Sequence, residues 1–379
     1  MADRPLKIAI VHDWLVQPGG AELVLREAFQ LFPSATLFAL IDHMPEAERT
    51  ALALPAARTS WLQHVPGIAK SYRRWLPLMP LAARSLNTTG FDAVLSISHA
   101  VANGVRVEPG TPHLSLCLSP MRYAWDLREQ YLEEAGLDRG IVGGTARFVL
   151  ERMRRWDLAT SSRITSFAAI SRFIADRVLR AYARPSEIIY PPVDTEFFTP
   201  TDDAREEFYV TASRFVPYKR VDLIARAFAG GNRKLVIIGD GPDWEKVRAA
   251  SGPNVTLLGR QPREVVRDHL RRARAFIFAA EEDFGIAPVE AQSCGTPVIA
   301  YGRGGALETV VPPGGAGTSG VFFAEQSEAG LRGALDAFEA LQPEIAPDDC
   351  RRSAERFSVA TFHEMLRAWV ARETSRRGR

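Results

Sequence analysis

Cysteine is scarce in this chain, and long apolar runs are missing. The 379 residues include three cysteines, Cys117, Cys294 and Cys350, with no CxxC pair and no spacing typical of metal ligands. This pattern excludes a disulfide framework and favours a reducing compartment. The first apolar run, Leu6–Val11, is too short for the core of a signal peptide, and no run approaches the roughly 18 residues of a membrane span. We therefore expect a cytoplasmic protein, either free in solution or peripheral on the inner membrane.

Lysine is also rare, since five of the 47 basic residues are lysines and the others are arginines. The 45 acidic residues nearly balance them, leaving a formal net charge of +2. Because no basic stripe with interleaved aromatic residues is present, the composition argues against a nucleic-acid partner. The sequence has no convincing DxD-type acidic motif, so we expect neither a metal ion nor another cofactor.

Short apolar runs alternate with helical patterns over nearly the whole chain, which is typical of βαβ units and parallel sheets. Strands are predicted at Leu6–Val11, Ala35–Leu40, Ala93–Ile97, Leu114–Leu118, Ser166–Ile170 and Glu187–Tyr190, then at Phe208–Ala212, Leu235–Ile238, Val255–Leu258, Ala275–Phe278, Val298–Ala300 and Val321–Phe323. Helices are predicted at Ala21–Leu31, Ala146–Ala159, Arg172–Ala181, Val221–Ala229, Trp244–Ala250, Arg263–Arg272 and Ala329–Leu341. The fold class is therefore α/β, with two Rossmann-like domains.

A proline-containing polar stretch at residues 190–200 separates the two halves. We expect one domain over residues 1–190 and a second over residues 200–355. A helix and a basic tail follow at residues 356–379, with the helix packing back on the first domain. Because open parallel sheets bind ligands at the carboxyl ends of their strands, two such edges facing one another predict a cleft between the domains.

Three loops carry residues suited to a phosphorylated ligand. Gly19 and Gly20 open the first helix, where backbone N–H groups either approach a phosphate or merely form a flexible turn. Arg214 and Lys219 follow the first strand of the second half, and they either neutralise a diphosphate or form a solvated basic turn.

The third loop contains Glu282 and leads into a helix that we predict to begin at Pro288, which places Glu290 in its first turn. Both carboxylates suit the vicinal hydroxyls of a sugar or ribose. The alternative is an acidic loop followed by a glutamate that stabilises the helix dipole.

Together these motifs resemble the retaining glycosyltransferases of family 4, whose two Rossmann-like domains have the GT-B arrangement. The resemblance covers almost the whole chain, through the Gly-Gly loop, SRFVPYKR, IIGDGP, CGTPVIA and EDFGIAPVE, a form of the family's E-x7-E motif. The segments SISHAVANGV and SPMRYAWDL are similar to a subgroup that makes bacterial O-antigen and exopolysaccharide, many of whose members transfer mannose.

The resemblance implies that the domain over residues 1–190 binds the acceptor and that the domain over residues 200–355 binds the nucleotide sugar, and it implies a role for each loop. Arg214 and Lys219 would neutralise the diphosphate as the sugar leaves, Glu282 would hold the donor sugar, and Glu290 would bind the ribose hydroxyls. Further donor contacts are implied for Gly19, Gly20, Asp240, Gly241, Asp283, Phe284, Gly285 and Ile286.

Three residues of the first half are candidates for the sugar or the acceptor. His99 either contacts a ligand or is a satisfied loop histidine, and Arg122 either meets an anionic acceptor or pairs with a carboxylate such as Asp126. The third, Leu118, stands where the subgroup has a histidine that contacts the donor sugar near C6. A leucine cannot hydrogen-bond a hydroxymethyl group, so this departure bears on which sugar is used.

The expected activity is metal-independent transfer of a hexose, with retention, from a nucleotide-diphosphate sugar to a glycan or polyprenyl-linked acceptor. GDP-mannose is the first choice of donor. Residues 68–81 mix basic and large apolar side chains, so they either lie at a membrane surface or pack in the core. Alternatives are a 6-deoxy sugar donor, a phosphorylase with pyridoxal phosphate on a lysine, and a sugar-nucleotide-binding protein without activity.

Overall fold

The chain forms two separate α/β units. The computed structural model describes residues 6–376 except 127, 135, 137, 138, 315 and 316. Its units are Met1–Tyr190 with Phe362–Arg379, and Pro191–Thr361. The end of the predicted basic tail, residues 377–379, lies outside the described residues.

The first unit is built on a seven-stranded parallel sheet in the order β3-β2-β1-β4-β5-β6-β7. Its strands are β1 (Ile8–His12), β2 (Thr36–Ala39), β3 (Arg58–Thr59), β4 (Ala93–Ser98), β5 (His113–Cys117), β6 (Ser166–Ala169) and β7 (Glu187–Ile188). Its helices are α1 (Gly20–Leu31), α2 (Glu46–Ala51), α3 (Ile68–Ser71), α4 (Met79–Ser85), α5 (Arg128–Glu134), α6 (Gly140–Ser161) and α7 (Arg172–Tyr182). Every residue of β1, β4 and β5 is buried, as expected for strands covered on both faces.

The second unit is built on a six-stranded parallel sheet in the order β10-β9-β8-β11-β12-β13. Its strands are β8 (Phe208–Ala212), β9 (Lys234–Ile238), β10 (Val255–Gly259), β11 (Phe276–Phe278), β12 (Val298–Tyr301) and β13 (Gly320–Phe323). Its helices are α8 (Val221–Phe228), α9 (Trp244–Ala250), α10 (Arg263–Arg272), α11 (Ile286–Ser293), α12 (Ala306–Thr309), α13 (Glu328–Leu341) and α14 (Pro347–Glu355). The two sheets confirm the predicted pair of Rossmann-like domains.

The last helix, α15 (Val359–Ser375), returns to the first unit. Trp369 is buried, and its Nε1 donates to Ser166 Oγ over 3.1 Å. One turn from the start of α15, His363 Nε2 lies 3.0 Å from Glu27 Oε2. These contacts confirm that the C-terminal helix packs on the first domain.

The order of strands in the second unit reverses between β8 and β11, and ligands of such sheets bind at the carboxyl edge near this point. Gly239 and Gly241, just after β9, bring their backbone against the loop that follows β8. A Cβ on Gly239 would lie 1.8 Å from Ser213 O, and one on Gly241 would lie 2.4 Å from Phe215 O. Both glycines have φ values, 137° and 157°, that other residues rarely adopt. The loop after β8 therefore packs directly against the backbone of these two glycines, because no side chain lies between them.

We predict that Gly239→Ala lowers the free energy of unfolding by about 3 kcal/mol, because the added methyl group collides with rigid backbone. Gly333→Ala is the matched control, since Gly333 is exposed in α13 and its Cβ would meet nothing within 4 Å. That change should add about 0.5–1 kcal/mol through helix propensity. Urea unfolding measures both, and equal effects of the two substitutions would contradict the close-approach argument.

Candidate functional site

Arg214 and Lys219 lie in the loop between β8 and α8. Phe215 N donates to Asp240 O over 2.8 Å, and the Phe215 ring stacks on Trp244 with the centroids 5.6 Å apart. Arg214 is exposed, and its guanidinium makes neither a hydrogen bond nor an ion pair within the described residues. Lys219 ends the 3-10 turn Pro217–Lys219, and Arg220, in the left-handed conformation, is the N-cap residue that precedes α8. Of the two predicted cations, Arg214 is thus exposed and Lys219 is partly buried.

The Lys219 ammonium forms an ion pair with Glu282 Oε1. Glu282 lies in the loop after β11, the strand that neighbours β8 in the sheet. The two side chains are 18% and 17% exposed, so water screens the pair only partly. Adjacent parallel strands therefore deliver a cation and a carboxylate to one spot on the sheet edge.

Two glycines that the sequence analysis did not single out hold the Glu282 loop. Gly305 N donates to Glu282 O over 2.8 Å. A Cβ on Gly304 would lie 2.4 Å from that same oxygen, and a Cβ on Gly305 would lie 2.3 Å from Phe284 Cα. The signal was present in the sequence, as a glycine pair shortly after the strand β12.

Helix α11 begins two residues earlier than predicted. Ile286 is the first helical residue, and Gly285, with φ 89°, precedes it. Pro288 is therefore the third residue of the helix and not the first. The prediction that Glu290 lies in the first turn is wrong, because it is the fifth residue of the helix. A proline is tolerated at the third position because the first four N–H groups of a helix have no partner within it.

Glu290 is a partly buried carboxylate in α11. Its side chain makes no hydrogen bond or ion pair in the described part of the chain. Burial raises the pKa of Glu290 to about 7, and the charge of Asp194 adds to this effect while that of Arg263 opposes it. A carboxylate in this state gains hydrogen bonds when vicinal hydroxyls bind beside it.

The remaining predicted donor residues divide into backbone and side-chain positions. Asp283 and Phe284 are buried, and the Phe284 ring meets Phe357 edge to face at 5.2 Å. With Gly285 and Ile286, these residues therefore offer mainly backbone to a ligand. Asp240 is exposed just after β9, where its Oδ1 accepts from Gly241 N over 2.7 Å.

In the first unit, Gly19 and Gly20 are exposed at the start of α1, with Gly19 extended at φ −161°. Glu22 lies in the first turn and is buried, and its Oε1 lies 3.7 Å from His12 Nε2. Although burial lowers the pKa of His12, Glu22 and Asp13 outweigh it and leave that pKa raised. A phosphate at these glycines would thus meet backbone N–H groups next to a carboxylate–histidine pair.

His99 adjoins Asp13, a buried residue that the sequence analysis did not consider. The Asp13 carboxylate accepts from the backbone N–H groups of residues 99–102 over 2.6–3.1 Å. His99 Nδ1 lies 3.1 Å from Asp13 Oδ2, and 29% of the His99 side chain is exposed. The ring is therefore oriented by a fixed carboxylate while one part of it reaches solvent.

Leu118 and Arg122 follow β5. Leu118 is 7% exposed, and its N donates to Ser98 O over 2.8 Å. Arg122 Nε approaches Ser119 Oγ at 3.4 Å. Asp126, proposed as the partner of Arg122, accepts from Arg177 Nε over 2.5 Å. Arg177 is buried in α7 and distant in sequence, so spacing could not indicate this ion pair.

The segment of residues 68–81 divides between core and surface. Ile68 and Met79 are buried in the core, whereas Leu78 and Leu81 are 39% and 58% exposed. None of the helices that the structure describes has the length and apolar character needed to cross a membrane. The described residues likewise contain no group of three or more His, Cys, Asp or Glu side chains placed to hold a metal ion.

Residues 193–357 match the family "Glycosyl transferases group 1". A D-inositol 3-phosphate glycosyltransferase of Mycobacterium sp. strain KMS is 31% identical over 141 residues, covering 31% of this chain and 32% of the relative. A GDP-mannose-dependent alpha-(1-6)-phosphatidylinositol monomannoside mannosyltransferase of Mycolicibacterium smegmatis is 33% identical over 173 residues, covering 38% of this chain and 45% of the relative. The matches thus cover 32% and 45% of the length of these relatives.

Solved structures share the fold over nearly the whole chain. Anabaena HepE in complex with UDP superposes with a TM-score of 0.71 at 15% identity, covering 97% of this chain and 100% of that one. The lipopolysaccharide outer core galactosyltransferase WaaB gives a TM-score of 0.68 at 20% identity, covering 97% and 100%.

We predict that Glu290 makes stability depend on pH. Because its folded pKa of about 7 exceeds the ordinary value of 4.5, the folded state binds this proton more tightly, and stability falls as pH rises from 4.5 through 7. The loss from this group should be about 1–3 kcal/mol, so Glu290→Gln should be more stable than wild type at pH 8 and similar at pH 4.5.

Urea unfolding at pH 4.5, 6, 7 and 8 measures the difference between the two proteins. Burial raises the pKa of Asp157 to about 6, so this residue also makes stability depend on pH. Because Asp157 is present in both proteins, its contribution cancels in the difference. Glu281→Gln, at an exposed position of the neighbouring loop, serves as the control and should give a flat difference. A flat difference for Glu290→Gln as well would contradict the raised pKa.

Proposed function

We propose that this chain, whose residues 193–357 match the glycosyl transferases group 1 family, moves a hexose from a nucleotide-diphosphate sugar to a glycan acceptor with retention of configuration. The family match and the two curated relatives support glycosyl transfer. Mannose from GDP-mannose is our first choice of sugar, because the M. smegmatis relative is named as GDP-mannose-dependent. We place the activity in the synthesis of a bacterial surface polysaccharide.

One observation carries this proposal: two cations and two carboxylates follow the carboxyl ends of two neighbouring strands, β8 and β11, of a single sheet. Arg214 is exposed there without an ion-pair partner in the described residues, and Lys219 lies beside Glu282. Glu290 follows in the helix that this loop begins. Opposite charges at such a position suit a ligand with an anionic diphosphate and neutral hydroxyl groups.

Each group has one step in the mechanism we propose. Arg214 and Lys219 stabilise the negative charge that develops on the departing diphosphate, a task that a metal ion performs in other transferases. Glu282 accepts hydrogen bonds from the sugar, and Glu290 accepts them from the ribose. The departing phosphate takes the proton of the attacking hydroxyl on the same face of the sugar. The protein supplies orientation and charge stabilisation.

The proposed acceptor is a glycan carried on a polyprenyl lipid, and a surface of the first unit suits this choice. Exposed Leu78 and Leu81 belong to the same stretch of chain, residues 73–84, as exposed Arg73, Arg74 and Arg84. Apolar side chains with arginines around them favour contact with an anionic lipid surface.

We predict that Arg214→Ala and Lys219→Ala each lower turnover at least about a hundredfold while the fold stays intact, since losing one donor to a developing negative charge costs roughly 2.7–4 kcal/mol. A thermal-shift screen of nucleotide sugars first identifies the donor, and release of its nucleoside diphosphate then measures turnover. Arg248→Ala is the control, because Arg248 is exposed and pairs with Glu245 at 2.6 Å. Near-normal turnover in both site variants would refute the assignment.

Two further conditions in this assay test other parts of the proposal. Turnover should persist in EDTA, because the two cations replace a metal ion. Release of the nucleoside diphosphate should increase when a glycan acceptor is added, whereas a protein that only binds sugar nucleotides would show no such increase.

A 6-deoxy sugar is the second candidate donor, and the position of Leu118 favours it. Leu118 is buried immediately after β5, beside Ser98 in the neighbouring strand. If its side chain meets C6 of the sugar, burying a methyl group there gains about 0.8 kcal/mol. An unpartnered hydroxyl at the same place costs about 1–3 kcal/mol.

If the Leu118 side chain meets C6 of the sugar, we predict that wild type prefers GDP-rhamnose to GDP-mannose by about tenfold and that Leu118→His reverses the preference. The kcat/KM values of both donors on both proteins measure this. If wild type prefers mannose and Leu118→His changes nothing, Leu118 does not read C6.

A further inference from the structure

Lys219 and Glu282 neutralise one another when no ligand is bound, although each is assigned to a different part of the donor. Within the described residues, the Glu282 carboxylate has no recorded partner other than Lys219. A bare diphosphate that approaches Lys219 therefore meets a cation whose charge a carboxylate already offsets. The repulsion from Glu282 cancels much of the attraction to Lys219.

The backbones on both sides of the ion pair are held in place, whereas the side chains are free to change partners. Gly305 N fixes Glu282 O at 2.8 Å, and Lys219 N donates to Val216 O over 3.0 Å. The side chains between these anchors are long and turn about several bonds. A change of partner is therefore possible by rotation of side chains, with the loops unmoved.

Sugar hydroxyls and a diphosphate together satisfy this site better than a diphosphate alone does. Hydroxyl groups donate to a carboxylate and can take the place of the ammonium at Glu282. Lys219 is then available to the diphosphate. With no sugar present, nothing replaces Lys219 at Glu282, and releasing it leaves a partly buried carboxylate unpartnered.

We propose that Glu282 withholds Lys219 from a nucleoside diphosphate and releases it when the sugar of the donor binds, so that the site holds the donor more tightly than the spent nucleotide. This inference rests on the proposed function. After transfer the sugar has gone, Glu282 pairs with Lys219 again, and the nucleoside diphosphate leaves. The ion pair thereby limits inhibition by product.

Calorimetric titration of the full chain with GDP, GDP-mannose, UDP and UDP-glucose tests this proposal. Glu282→Gln should bind the matching nucleoside diphosphate at least about fivefold more tightly than wild type does, because Lys219 no longer has a competing carboxylate. The same variant should lose most of the preference for the sugar nucleotide over the diphosphate.

Two control variants isolate the ion pair. Glu281→Gln removes the same charge from the same loop at an exposed position, and it should leave both affinities within about twofold. In a Lys219→Met background, Glu282→Gln should give no gain in diphosphate affinity, since the partner is absent. Glu282→Asp, which keeps the charge, covers the case in which the glutamine variant fails to fold, and it should restore a preference for the sugar nucleotide.

The outcomes separate the two proposals. If wild type binds none of the four nucleotides, the proposed function fails. If wild type binds a sugar nucleotide but Glu282→Gln binds the diphosphate no more tightly, the function stands and this inference is overturned. A gain that persists in the Lys219→Met background would also overturn it, because the effect would then not pass through the ion pair.

Discussion

Backbone contacts that leave no room for a β-carbon set the position of the candidate site in the second unit. Gly239 and Gly241 press against the loop that carries Arg214, and Gly304 and Gly305 press against the loop that carries Glu282. Because glycine has no side chain, these contacts are made by the backbone alone. Main-chain packing at neighbouring strand ends thus positions the two loops, and the charged side chains are not needed to hold them in place.

Asp13, which is buried, and Glu290, which is partly buried, show how a structural carboxylate differs from one that is available to a ligand. The Asp13 carboxylate accepts hydrogen bonds from four backbone N–H groups and thereby holds the segment after β4 in place. Glu290 receives none in the described part of the chain, and burial accordingly raises its pKa to about 7. Asp13 gains its hydrogen bonds when the chain folds. Glu290 gains hydrogen bonds only when a ligand supplies the missing donors.

Apolar periodicity in the sequence located the strands to within a residue or two, because strands buried on both faces are continuous apolar runs. It missed the short β3, which spans Arg58–Thr59 and has no such run. The start of α11 was predicted too late, since the left-handed Gly285, and not Pro288, determines it. The pairing of Asp126 with Arg177 and the glycine contacts depend on residues far apart in sequence, which spacing alone does not bring together.

The return of α15 to the first unit has a consequence for the order of folding. The second unit is one continuous segment, Pro191–Thr361, so all its parts are available once that segment has been synthesised. The first unit lacks Trp369 and its bond to Ser166 until synthesis has passed the whole segment of the second unit. During synthesis, therefore, the first unit begins before the second and completes its core after it, and its exposed apolar surface in that interval is where a chaperone would act.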